Sequence, residues 1–190
     1  MLDATLHLLG DGTPYAELTV QRITAAAGVS RSLFYVSFAD RRELLLELLA
    51  DALDPIYATL AEQRPTSGEA LGPDRIGPTI TLAISICRTA APLFRATFEA
   101  STYDDTIRAR LVAFAEPFIA AAATTIAAQQ RAGRALPSDP RATAATLVWA
   151  VVDGGYRQVR DDTGISDATL VETLTTMALR TVYGEAPPTG

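Results

Sequence analysis

At 190 residues, 48% of them hydrophobic, the chain is sized for one compact unit or for a small module joined to a larger one. A net charge of −6 excludes binding to polyanions through overall positive charge, so any such role has to be local. The single cysteine excludes an intrachain disulfide, and no stretch approaches the roughly 18–20 uninterrupted apolar residues of a membrane span.

Alanine and leucine dominate and β-branched runs are short, which favours an all-α class. In chain order, Leu2, Leu6 and Leu9 fall at helical spacing in a first helix that Gly10-Asp11-Gly12 ends. Thr19 is placed to cap a helix running to about Ala27, with Val20, Ile23 and Ala27 on its inner face. Gly28 permits a left-handed turn, and Ser30 caps a short helix over residues 31–38. Asp40, with Glu43 at capping-box spacing, starts a longer helix carrying Leu44, Leu45, Leu48, Leu49, Ala52, Leu53, Ile56 and Leu60.

Residues 63–78, with three prolines and three glycines, read as a linker. Helices are then predicted over 79–90, 92–101 and 104–132. After a break at 133–140 comes one from the Asp139-Pro140 start to about Arg160, and a last one from Ser166 to Tyr183. The count is about nine: a three-helix helix-turn-helix module over 1–45, and a helical ligand-binding and dimerisation bundle over 46–190.

Two small helices joined by a Gly-centred turn are the shape that enters a DNA major groove. Between Thr19 and Arg42 four arginines face Asp40 alone, a local net of +3. On a 100°-per-residue wheel Phe34 and Phe38 face inward, and Ser32 and Val36 point the opposite way, flanked by Leu33 and Tyr35. In a major groove Leu33 and Val36 can touch thymine methyls, while Ser32 and Ser37 bond base edges or phosphates. Arg31 is the best candidate for a guanine; Thr19, Gln21, Tyr35 and Arg41 are candidates for phosphate contacts. Ser30 and Thr19 are caps first. Half-buried packing is the lesser alternative for Tyr35, and Arg41 equally suits a solvated first helical turn.

The run ITAAAGVSRSLFYVSFADRRELLLELL resembles the DNA-binding module of TetR-family transcriptional regulators, matching at Ile23, Ala27, Gly28, Val29, Ser30, Phe34, Tyr35, Phe38 and Leu44, with Arg41 where lysine is usual. The C-terminal part, ending TVYGE, is similar to the branch that contains the ethionamide-resistance regulator of mycobacteria. The resemblance implies a cytoplasmic homodimer whose paired reading helices enter successive major grooves of a palindromic double-stranded operator. It also implies a small hydrophobic effector that releases a repressor by favouring another conformer. Two departures are visible. The chain begins inside the helix that a basic arm usually precedes, and Val36 stands where a polar or basic residue is common.

For the effector pocket the aromatic set Phe94, Phe98, Phe114, Phe118, Trp149 and Tyr156 is expected, with Thr146 and Asp153 beside it. Core packing is the alternative for each aromatic. Glycine inside a helix costs about 1 kcal/mol relative to alanine. Close approach across a subunit seam would explain the pair Gly154 and Gly155, with Leu170, Leu174, Met177 and Ala178 as the partner face. A catalytic reading finds little: one histidine, His7, in a leucine-rich helix, Cys87 among apolar neighbours, and no metal-spaced cluster, phosphate loop or serine elbow. No enzyme activity, cofactor or metal is expected. The competing reading is a helical small-molecule-binding or interaction protein whose helix-turn-helix no longer reads DNA.

Overall fold

The computed structural model describes residues 1–62, 72–135, 137–161 and 163–184. Among them every regular element is helical: α1 (Leu2–Gly10), α2 (Val20–Ala27), α3 (Arg31–Ser37), α4 (Arg41–Glu62), α5 (Pro73–Thr89), α6 (Ala91–Ser101), α7 (Asp105–Arg131), α8 (Pro140–Arg160) and α9 (Asp167–Tyr183). A short 3-10 turn, Tyr15–Glu17, precedes α2 and was not legible from periodicity.

The helix starts follow from local side-chain chemistry. The Thr19, Ser30, Asp139 and Ser166 side chains each accept a hydrogen bond from the amide three residues on. Asp40 accepts from the amides of Arg42 and Glu43, while the Glu43 carboxylate turns back to the amide of Ala39. The predicted linker extends too far. Residues 63–71 lie outside the described part, but from Pro73 the chain is already helical, with Gly77 and Pro78 inside α5. Proline in a first turn forfeits no intrahelical bond, so Pro73 starts the helix.

The chain forms two compact units, neither continuous in sequence. The first comprises Met1–Asp54 and Ala90–Val112. Its core gathers Leu9, Tyr15, Leu18, Ile23, Phe34, Leu44, Leu45 and Leu48 with Leu93, Ala96, Ala100 and Ile107. Within it α1 packs on α2 and α6, α2 on α3, and α6 on the 3-10 turn. The elements ahead of the helix-turn-helix, α1 and the 3-10 turn, are thus backed by α6, from far later in sequence.

The second unit comprises Pro55–Thr89 and Ala113–Gly190. In it α5 lies against α8 and α9, through Ile80, Ile84, Leu174 and Ala178. A further cluster joins Ala115, Ile119, Ile126, Ala144 and Val182, with Trp149 partly buried against it. Among the described residues α7 is the one helix long and apolar enough to cross a membrane on composition alone, a test that the core helix of a globular bundle also passes.

Candidate nucleic-acid interface

The two reading helices are set by their turn. Gly28 sits at φ 65°, in the left-handed region where a side chain would be strained, and its amide closes onto the end of α2. Ser30 then restarts the chain as α3. Phe34 is fully buried and anchors α3; the ring of Phe38 leans on it at 5.7 Å. Phe38 itself lies in extended backbone just past the helix, so α3 is one residue shorter than predicted.

The opposite face is open. Val36 is 82% exposed, Tyr35 53% and Leu33 47%, and Arg31, Ser32 and Ser37 are exposed with them. Single exposed hydrophobics are ordinary, but three on a seven-residue helix form a patch. Tyr35 meets Phe34 edge-on at 5.4 Å and still presents over half its surface. Thr19 and Gln21, at the start of α2, are exposed too.

The basic charge is more committed than the local count suggests. Arg22 donates to the Thr13 hydroxyl at 3.0 Å and pairs with Glu17 at 3.5 Å. Arg42 pairs with Asp40 at 2.7 Å and reaches Asp104 at 3.6 Å, and Asp104 also caps α7 through the amides of Thr106 and Ile107. Burial works to raise the Asp40 carboxyl, but hydrogen bonds from the Arg42 guanidinium and from the amides of Glu43 and Arg42 outweigh it and hold it below the usual carboxylate range.

Arg41, expected at a phosphate, turns inward instead. Its Nη1 donates to the carbonyls of Tyr15, Ala16 and Leu18, and the guanidinium stacks over the Tyr15 ring. Among the described residues, Arg31 is the arginine of this module with no carboxylate or carbonyl partner. Arg41 and Arg42 line a cleft of about 200 Å³ with Tyr15, Asp40, Tyr103 and Asp104.

The aromatic residues expected at an effector pocket are divided between the two units. Phe94 and Phe98 belong to the first unit, where Phe94 is buried; Phe114, Phe118, Trp149 and Tyr156 belong to the second. There Phe118 stacks on Tyr57 at 5.3 Å and Phe114 lies 6.5 Å from the same ring, while the Tyr57 hydroxyl donates to the Phe114 carbonyl at 2.7 Å. Tyr57 was missed, although an aromatic with a polar tip on the leucine-rich α4 was the available signal. Asp153 is not buried: it is exposed and pairs with Arg157 one turn on, at 2.7 Å. Thr146 is exposed, and its hydroxyl donates to the Ala142 carbonyl. Tyr156 is half-buried under the Arg160 guanidinium.

The residues expected at a subunit seam make contacts within the chain. Gly155 is buried against α5 of the same chain, where an added Cβ would lie 2.8 Å from the Cys87 sulfur. Gly154 faces Leu170 and Leu174 on α9 of the same chain. Leu174 and Ala178 are themselves buried between α9 and α5, and Leu170 packs partly with them; Met177, 49% exposed, is the member of the set that faces outward. A close approach within the chain is therefore found at Gly155, while the contacts at Gly154 are at ordinary distances.

Two family models match this chain. One, described as bacterial regulatory proteins of the tetR family, covers residues 1–48. The other, the C-terminal domain of the transcriptional regulator EthR, covers residues 77–184, more than half of the sequence. The chain belongs to the TetR family. No curated protein matches it. Among solved structures it is similar to a TetR-family transcriptional regulator of Syntrophomonas wolfei, at 17% identity over 94% of this chain and 91% of that one, TM-score 0.74. It is also similar to one from Rhodococcus sp., at 22% identity over 95% of each chain, TM-score 0.69. A third, a transcriptional regulator of Saccharomonospora viridis solved in complex with choline, aligns at 16% identity over 96% of this chain and 95% of that one, TM-score 0.68. At these identities the structures speak to the fold. With the two matched domains, they make this TetR-family chain a DNA-binding transcriptional regulator with a helix-turn-helix and an EthR-like C-terminal domain, and not an enzyme.

Proposed function

We propose that the protein is a homodimeric, ligand-responsive repressor that reads a palindromic operator with α3 and is released by a small hydrophobic effector. The observation that carries the reading is the open face of α3, anchored from behind by Phe34 and presenting Leu33, Tyr35 and Val36. Three apolar groups flanked by Ser32, Ser37 and Arg31 match a groove wall of thymine methyls and base-edge acceptors better than they match water. Ser30, Thr19 and Gln21, at the starts of α3 and α2, would meet the phosphates.

The aromatic group Tyr57, Phe114 and Phe118, which is partly buried, supports an apolar effector site in the second unit. The two copies would meet through the outward faces of α8 and α9, with Met177 as an apolar contact. Effector and operator would then favour different conformers of one dimer.

The test is a polarisation titration of the wild-type protein against the DNA upstream of its own gene, with a scrambled duplex as control and sedimentation for the assembly state. Sequence-dependent binding by a dimer is expected. Arg31→Ala and Tyr35→Ala should each weaken it by about tenfold or more, the order of one lost base or phosphate contact, and leave the dimer intact. Indifference to sequence at every salt concentration would instead favour a helix-turn-helix that no longer reads DNA.

A further inference from the structure

We propose that Arg41 is a positioning residue for DNA binding: it clamps the entry of the reading unit to its exit and does not contact phosphate. The inference rests on the DNA-reading function argued above and deepens it. Arg41 is the first residue of α4, three positions after α3 gives way to Phe38. Its Nη1 donates to the carbonyls of Tyr15 at 2.9 Å, Ala16 at 3.2 Å and Leu18 at 3.3 Å. The Tyr15 carbonyl also accepts from the Leu18 amide that closes the 3-10 turn, and Leu18 immediately precedes Thr19, the cap of α2. One guanidinium therefore ties the 3-10 turn and Leu18, ahead of α2, to the first residue of α4, across 23 to 26 positions of sequence.

Its neighbours fix its direction. The guanidinium carbon stands 4.6 Å from the centroid of the Tyr15 ring, and Tyr15 and Leu18 are both fully buried. A planar, weakly hydrated cation suits this place, because it can stack on the ring and donate in its own plane at once. A lysine ammonium is a compact, strongly hydrated charge and does not reproduce that stack. A phosphate contact makes the opposite demand. It needs only a charge, which lysine supplies, and it releases counterions, which makes binding steeply salt-dependent.

The experiment uses full-length Arg41→Lys and Arg41→Met, with circular dichroism to confirm folding. The free proteins are compared by amide hydrogen exchange, and binding is measured across a KCl series to a duplex selected from a random library by the wild type. We expect the Leu18 and Ile23 amides, which bond to Tyr15 and Thr19 carbonyls, to exchange about tenfold faster in both variants, an opening made easier by the loss of one charge-assisted bond. Binding should weaken by about tenfold in Arg41→Lys as in Arg41→Met, with the salt slope parallel to wild type. If Arg41→Met does not fold, Arg41→Lys alone carries the comparison. The proposal is overturned if exchange is unchanged, or if Arg41→Lys binds like the parent while Arg41→Met loses about one unit of salt slope per subunit. Should the wild type select no duplex, the DNA reading itself fails, and the exchange rates still judge the clamp.

Discussion

Tyr15 is the residue on which the first unit makes an uncommon choice. Its ring is 1% exposed and carries the Arg41 stack, yet its hydroxyl finds no hydrogen-bond partner among the described residues. A buried, unpaired hydroxyl costs on the order of 1–3 kcal/mol, whereas the ring contributes packing that phenylalanine would keep. Tyr15→Phe should therefore leave stability unchanged or raise it by up to about 1 kcal/mol, read from the urea midpoint. A loss of more than about 1 kcal/mol would mean that the hydroxyl is hydrogen-bonded in solution. The contrast between Tyr15 and the helix caps explains what was legible in the sequence. Thr19, Ser30, Asp139 and Ser166 bond three residues along, so the sequence holds donor and acceptor in one window. Arg41 bonds 23 to 26 residues back, to carbonyls that every residue possesses, and no spacing encodes that.

Among the elements, the helices that carry the candidate interface were readable because each is short, capped and amphipathic. Phe34 against Val36 is a strong contrast within two residues. The bundle was less readable because its helices are apolar on more than one side, so burial could not be assigned to a partner. The adjacent glycines of α8 show the difference. An added Cβ at Gly154 would meet Leu170 and Leu174 at ordinary contact distances of 3.5–3.7 Å. At Gly155 it would meet the Cys87 sulfur at 2.8 Å and Ile84 at 3.3 Å, in a buried place on α5. Alanine gains about 1 kcal/mol of helix propensity at either position, while overpacking a core costs typically about 1–3 kcal/mol. Gly154→Ala should then stabilise by up to about 1 kcal/mol, and Gly155→Ala should destabilise by about 1 kcal/mol. In a Cys87→Ala background the second penalty should shrink or reverse, a coupling that a double-mutant cycle in urea measures. If Gly154→Ala instead splits a dimer without harming the fold, Gly154 belongs to a subunit seam after all.

For the molecule as a whole, the sequence conveyed the kinds of element but not how they are divided. Both units draw on two separated segments, with α4 and α7 each running from one into the other, and chain-order reading has no access to that interleaving. What the whole chain shares is a set of ionisable groups held neutral by burial. Burial pushes the hydroxyls of Tyr15 and Tyr57 up to about 12 from 10.0, and the Cys87 thiol up to about 11 from 9.0. Tyr103 and Tyr183 move in the same direction, also chiefly by burial. In every case the unfolded chain gives up its proton at a lower pH than the folded one. The stability this confers is fully present below about pH 9, where both states are protonated. It is lost progressively as the pH rises from there through about 12, because the unfolded state ionises first and is favoured. Thermal melts followed by circular dichroism should therefore show a midpoint that is flat near neutrality and falls steeply above about pH 10, with a late tyrosinate absorbance step that coincides with unfolding. Tyr57→Phe, which removes one of the late groups and its bond to the Phe114 carbonyl, should lower the neutral-pH midpoint and flatten the alkaline fall. A parent whose midpoint holds level to pH 12, or a Tyr57→Phe slope as steep as the parent's, would contradict the view that these buried groups govern the alkaline limit.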